Sequence, residues 1–125
     1  MNISAVIEEL KKKYPGKKIF LNNRQNCTEI LCDVEPTAAH PSYSEIISVI
    51  DKTDSHFHSL SAEKYEVLKG VLTLIVEGRK YVLNEGQSYR VEKGQVHEAI
   101  GNETWVRCAA RPGWKKSDHN RKIMS

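Results

Sequence analysis

The sequence predicts an all-β barrel with one short helix at its start. Two observations carry this. Short apolar runs rich in β-branched residues recur from residue 18 to 110, and Gly, Asn and Asp punctuate them. No long helical pattern occurs anywhere in that span, and helical spacing is confined to the first residues.

The elements follow in order. Residues 2 to 14 read as a helix within an N-terminal segment 1–16, because Ile3, Val6, Ile7 and Leu10 form one stripe. Asn2 or Ser4 can cap its start, and Tyr14-Pro15-Gly16 stops it. The barrel is expected over residues 18 to 110. Its strand-like runs are 18–21, 28–34, 45–50, 56–58, 64–69, 71–77, 79–83, 88–91, 96–100 and 104–110, with a Pro-containing loop at 35–42. Turn signals lie at Asp51-Lys52-Thr53-Asp54, Glu77-Gly78, Asn84-Glu85-Gly86, Glu92-Lys93-Gly94 and Gly101-Asn102. Residues 111–125 are polar and read as an extended tail. There is no internal repeat, no low-complexity tract and no second domain.

Size and composition narrow the class. A chain of 125 residues, 39% hydrophobic and 28% charged, is one domain with a core of its own. The formal net charge of +3 comes mainly from two polar ends. One holds Lys11, Lys12, Lys13, Lys17 and Lys18, the other Lys115, Lys116, Arg121 and Lys122. Neither interleaves aromatics in the manner of a nucleic-acid face, so no nucleic-acid partner is expected. Three cysteines, Cys27, Cys32 and Cys108, make an odd count without framework spacing, which favours reduced thiols. The acidic residues Glu8 and Glu9 sit where a signal peptide needs an apolar run, and no stretch reaches membrane-spanning length. A cytoplasmic protein without a membrane partner is expected.

The chemistry lies in Ser55-His56-Phe57-His58-Ser59-Leu60-Ser61-Ala62-Glu63. Residues two apart on a strand share a face, so His56 and His58 aim together. A hairpin between this run and the next would return Glu63 beside them, and His97 can supply a fourth ligand. Three imidazoles and a carboxylate suit one divalent transition metal, Zn, Mn, Fe or Ni, with positions left for water or substrate. An HxH pair alone is weak evidence. The whole string is more specific.

His56-x-His58-x4-Glu63-x6-Gly70 resembles the first signature of the cupin superfamily, and Gly86-x5-Glu92-x-Gly94-x2-His97 resembles the second. Fifteen residues separate Gly70 from Gly86, the compact spacing of small microbial cupins. Three positions depart from the pattern. Ile50 stands in place of the opening Gly, Glu92 in place of Pro, and Gly101 in place of Asn. These are turn positions, and the four ligand positions keep ligand side chains. The resemblance implies a double-stranded β-helix (jelly-roll) barrel, a metal at His56, His58, Glu63 and His97, and a homodimer paired through outer strands, where Leu68 would need cover. The run from Glu63 to Leu74, the segment Glu103-Thr104-Trp105-Val106 and the ending Pro112-Gly113-Trp114 to Asp118-His119 are similar to cupins labelled as sugar-phosphate or mannose-6-phosphate isomerase-like.

Alternation assigns the surroundings. If Glu63 faces inward, so do Tyr65 and Val67, and if His97 does, so does Ala99. Trp105 and Arg107 share one face of the last strand, Val106 and Cys108 the other. Arg107 is the candidate for an anionic substrate group, with Tyr65 and Trp105 as further substrate contacts. Glu29 is the candidate general base. Three functions fit: a metal-dependent sugar or sugar-phosphate isomerase with a polar pocket, a non-haem iron dioxygenase with an apolar one, and a small-molecule-binding module that turns nothing over.

Overall fold

A computed structural model describes residues 1–121. Lys122 of the C-terminal basic group lies outside them. The chain opens with α1 (Ile3–Lys13) and continues through ten strands: β1 (Lys18–Leu21), β2 (Glu29–Glu35), β3 (Ser44–Lys52), β4 (His56–Phe57), β5 (Ala62–Lys69), β6 (Leu72–Val76), β7 (Arg79–Leu83), β8 (Ser88–Val91), β9 (His97–Arg111) and β10 (Asn120–Arg121). A short 3-10 turn, Lys116–Asp118, precedes β10. The fold is all-β, and the strands form one curled, hydrogen-bonded sheet.

The helix forms for the reasons its sequence shows. Asn2 caps it by accepting from the Ala5 N–H at 3.2 Å. Val6 and Leu10 are buried, and Gly16 takes a left-handed φ of 78° that ends the turn. The buried face covers the outside of the barrel, where Val6 and Leu10 pack with Ile30, Cys32, Ile47, Val49 and Trp105. Leu68 packs against this cluster, so α1 supplies the cover that Leu68 was expected to find in a second subunit.

A second core fills the barrel itself. Ile50, Tyr65, Val67, Leu72, Leu74, Val76, Leu83, Val91, Ala99 and Val106 meet there. Alternation along β2, β3, β5 and β9 sorts residues between the two cores. Ile30 and Cys32 face the helix while Glu29 and Leu31 face the interior.

β9 organises the whole. Its first residues pair with β6 and β4, and residues 105–110 lie between β3 and β5. Gly101-Asn102 was expected to be a turn between two strands. It is instead a bulge within one strand. Ile50 pairs with Thr104 and Lys52 with Ile100, so two residues of β3 span four of β9. Glu103 sits at a φ of 47°, and its N–H donates to Asp51 Oδ1 at 2.8 Å. The bulge switches the alternation. His97 and Ala99 point inward before it, and Val106 and Cys108 point inward after it.

The tail is not merely extended. It folds back across the barrel mouth, where Asn120 pairs with Phe57 and Arg121 with His56.

Candidate metal centre

Four buried side chains converge at the mouth of the barrel. His56, His58, Glu63 and His97 each offer a ligand atom, and these atoms lie within 4.8 Å of one another. β4 carries His56, which sits opposite His97 on β9. His58 lies just past β4. Glu63 lies near the start of β5, opposite Ala110 and Val91. No hairpin joins β4 to β5. Both run beside β9, and closure of the sheet brings Glu63 to the histidines.

The hydrogen bonds show what the cluster is suited to hold. His56 Nδ1 lies 2.8 Å from the Asp54 carbonyl, His97 Nδ1 2.9 Å from the Gln95 carbonyl, and His58 Nδ1 3.0 Å from the Asp118 carbonyl. A carbonyl only accepts, so each Nδ1 carries the hydrogen and each Nε2 of a neutral ring presents a lone pair. Two of those nitrogens crowd the Glu63 carboxylate, His58 Nε2 at 3.0 Å and His97 Nε2 at 3.3 Å from Oε1. Lone pairs facing lone pairs at that range need a cation between them. Donors bound to one ion at about 2.1 Å lie about 3 to 4 Å apart, in keeping with these spacings. The residues present therefore fit a divalent transition metal, with the carbonyls orienting each ring from behind.

Without an ion, protons take its part. Burial penalises charge on His58, but the hydrogen bond and charge of Glu63 outweigh it and raise its pKa. Burial would raise the Glu63 carboxyl, yet hydrogen bonds with His58 and His97 hold it well below the usual carboxylate range. Burial, reinforced by His97, brings His56 down to about 4.

His56, His58 and Glu63 line a cavity of about 810 Å³, with His97 buried behind them. Tyr65 lines it as expected, with its hydroxyl 3.3 Å from Glu63 Oε1. Glu29 also lines it, beside Ser48 on the neighbouring strand. Enclosure by the barrel desolvates the Glu29 carboxyl and pushes it up to about 7, with Ser48 acting the other way and the Glu63 charge adding to the rise.

Two expected substrate contacts are not in this cavity. The bulge in β9 turns Trp105 outward, onto α1, where Lys13 lies over its ring at 4.8 Å. Arg107 follows it to the outer face and pairs there with Glu45 and with Glu66 at 3.1 Å. The cations on the cavity wall are Lys52, Lys116 and Arg121, and Arg121 is tied to Asp54 at 2.9 Å.

Sequence reasoning missed the contribution of the tail. Trp114, Lys116, His119 and Arg121 all line the cavity, and the His119 ring stacks on His56 with centroids 4.2 Å apart. Asp54, His56 and His119 form a second, more exposed cluster of ligand-type atoms sharing His56 with the first. The available signal was a His and an Asp adjacent in an otherwise featureless polar stretch.

Known structures reproduce the fold. Streptomyces PAC13 with uridine aligns at a TM-score of 0.75 and 12% identity, over 89% of this chain and 88% of that one. PAC13 is described as a nucleoside dehydratase. The polyketide cyclase RemF from Streptomyces resistomycificus aligns at 0.70 and 14% identity, over 90% and 84% of the two chains. Oxalate decarboxylase of Bacillus subtilis, described with Mn(II) centres, aligns at 0.69 and 12% identity, over 86% of this chain and 31% of that one. At these identities the likeness is one of fold. No curated protein matches the chain. Residues 45–108 match the family described as the Cupin domain, over half of the chain and across all four candidate ligands, and the chain belongs to that family.

Proposed function

We propose that this cupin is a metal-dependent enzyme that moves a proton on a polar small molecule, of the sugar or sugar-phosphate isomerase type. One observation carries the reading: a carboxyl held near neutrality, Glu29, faces the same cavity as His56, His58 and Glu63, three of the four clustered ligands. A general base works best with a pKa near the working pH. A divalent ion held by these three and His97 supplies Lewis acidity toward substrate oxygens. Glu29 takes the proton from a hydroxyl-bearing carbon next to a carbonyl and returns it to the carbonyl carbon, while the hydroxyl proton passes to the former carbonyl oxygen, so that the two groups exchange places through an enediol. Ser48 steadies the carboxylate between the two transfers, and Tyr65 orients Glu63 by donating to Oε1, the oxygen that also faces His58 and His97.

The cavity wall supports a polar substrate. Asn22, Asn26, Thr28 and Ser48 line it along with the acid–base groups, and Phe20, Leu21, Leu31, Ile46 and Trp114 add an apolar part that a sugar's carbon skeleton can use. Lys52 and Lys116 replace Arg107 as candidates for an anionic group. Among the described residues neither is held in an ion pair.

The test is proton exchange. Zn-, Mn-, Fe- and Ni-loaded protein is incubated with sugars and sugar phosphates in deuterated water. Deuterium entering a substrate carbon supports the reading, and Glu29→Gln removes it. Oxygen consumption with iron points instead to a dioxygenase. Tight ligand binding without exchange points to a binding module.

The protein is further proposed to be cytoplasmic and homodimeric. Cys27, Cys32 and Cys108 are unpaired, in keeping with a reducing compartment, and no helix is long and apolar enough to cross a membrane. The dimer face is the outer side of β6, β7 and the start of β9. Val82, Thr73 and Ile100 form one row across these strands, and Lys80, Ile75 and Glu98 the next. Val71, Val82 and Ile100 are exposed. A twofold axis along the strands sets Val82 against Ile100 and Lys80 against Glu98 of a second copy. Light scattering on Val82→Glu checks this: a monomer is expected where the parent is dimeric.

A further inference from the structure

The three histidines of the cluster are oriented in two different ways. His56 and His97 each give Nδ1–H to the carbonyl two residues earlier in their own stretch of chain. His58 gives its Nδ1–H to Asp118, sixty residues away in the C-terminal segment. That segment is built to hold this carbonyl in place. The Asp118 side chain is 5% exposed, and its carboxylate accepts from the N–H groups of Ser59 at 2.9 Å, Leu60 at 3.0 Å and Ser61 at 3.3 Å. These three residues follow His58 directly. One residue thus grips the His58 loop by its side chain and the His58 ring by its backbone.

The segment is anchored at both ends. Gly113 N–H donates to the Pro41 carbonyl at 2.9 Å, and Trp114 N–H to Ser44 Oγ at 2.8 Å. A Cβ at Gly113 would meet Thr37 Oγ1 at 2.6 Å. Beyond Asp118, β10 pairs with β4.

We propose that residues 113–121 are a strap whose docking sets the metal affinity of the site, with Asp118 as the positioning residue for His58. This rests on the metal reading of the cluster. Free of the strap, the His58 ring can turn or place its hydrogen on Nε2, and either change withdraws the lone pair from the ligand set. Coupling runs both ways, so an ion bound to His58 also holds the strap down. Removal of such an orienting partner lowers metal affinity by about 10- to 100-fold.

The experiment compares the full-length protein with Asp118→Ala, Asp118→Asn and Gly113→Val. The last bears on the strap at a point remote from the four ligands. Zn affinity is read by chelator competition, and the His58 tautomer by ring-nitrogen NMR of the metal-free protein. Asp118→Ala and Gly113→Val are expected to lose about 10- to 100-fold in affinity and to weaken the hydrogen-bonded Nδ1–H signal, which the metal-free parent shows alongside the proton that Nε2 shares with Glu63. Asp118→Asn, which keeps the backbone carbonyl and part of the loop grip, recovers most of both. Zn should also protect the strap from proteolysis in the parent. Affinity within twofold of the parent together with an unchanged tautomer in Asp118→Ala and Gly113→Val overturns the proposal. A parent that takes up no metal, while Asp118→Ala still shifts the tautomer, overturns the metal reading and leaves the positioning role standing.

Discussion

The two faces of β2, β3 and β9 are made from the same strands and do opposite work. Toward α1 they present Ile30, Cys32, Ile47, Val49 and Trp105, a dry patch that needs only shape and apolar area. Toward the cavity they present Glu29, Leu31, Ser48 and Cys108, a wall that stays in contact with water and tolerates a misfit carboxyl. The outer face is given over to packing, while the inner one shares its length between the chemistry at the mouth and the barrel core around Ile50 and Val106, although neighbours along the chain alternate between the two faces. Burial by itself does not separate the two roles, because the four candidate ligands are as buried as the aliphatic core. The hydrogen-bond partners do separate them.

Substitutions on each side should therefore fail differently. Trp105→Ala opens a cavity under α1 and should cost about 3–5 kcal/mol in denaturant unfolding, with Zn stoichiometry unchanged. Loss of metal in that variant while it is still folded would dissolve the distinction. His58→Ala should do the reverse, weakening Zn binding by about 100-fold or more while circular dichroism still reports the barrel. Unaltered Zn stoichiometry there would defeat the four-ligand site.

Glu29→Gln should reduce any proton exchange by about 10²-fold and leave Zn affinity alone. It also has a pH signature. The folded pKa of Glu29 is raised to about 7 from an ordinary carboxylate value, so its contribution to stability is full below that ordinary value and is lost as pH rises through about 7. Metal-free Glu29→Gln should thus gain on the parent by about 3 kcal/mol at pH 8 and by almost nothing at pH 4. A gain of the same size at both values would mean that the carboxyl is not perturbed. The smallest effect is expected of Arg107→Ala, which removes half-exposed ion pairs worth under about 1 kcal/mol and should leave anionic ligands bound as before. Lys52→Ala and Lys116→Ala should weaken them.

Much of the inner face was legible in the sequence because period-two spacing is a local property. His56 with His58, and Glu63 with Tyr65, could be paired without knowing the fold. The strand runs and the helix were legible for the same reason. What failed depended on long-range geometry. Uninterrupted alternation from His97 would send Trp105 and Arg107 inward, and only the bulge reverses that. The turn expected at Gly101-Asn102 marked the right place but the wrong device. The tail was misread because its order comes from Asp118 gripping a loop sixty residues away and from two residues of pairing with β4. A polar stretch without periodicity carries no trace of such partners.

The bulge at Gly101–Glu103 makes the course of the backbone, rather than side-chain identity, the specificity determinant of this strand. Gly101 is held tightly, since a Cβ there would stand 2.5 Å from Thr104 Oγ1 and 2.7 Å from the Ile50 carbonyl. Asn102 is exposed and can be exchanged freely. If the segment ran straight with the same number of residues, every later side chain would change face: an indole and a guanidinium would turn into the cavity and a thiol out of it. A relative that lacks the bulge but keeps the length thus has a cationic pocket built from the same residues, so alignments across this segment have to be judged by backbone course before they are judged by residue type.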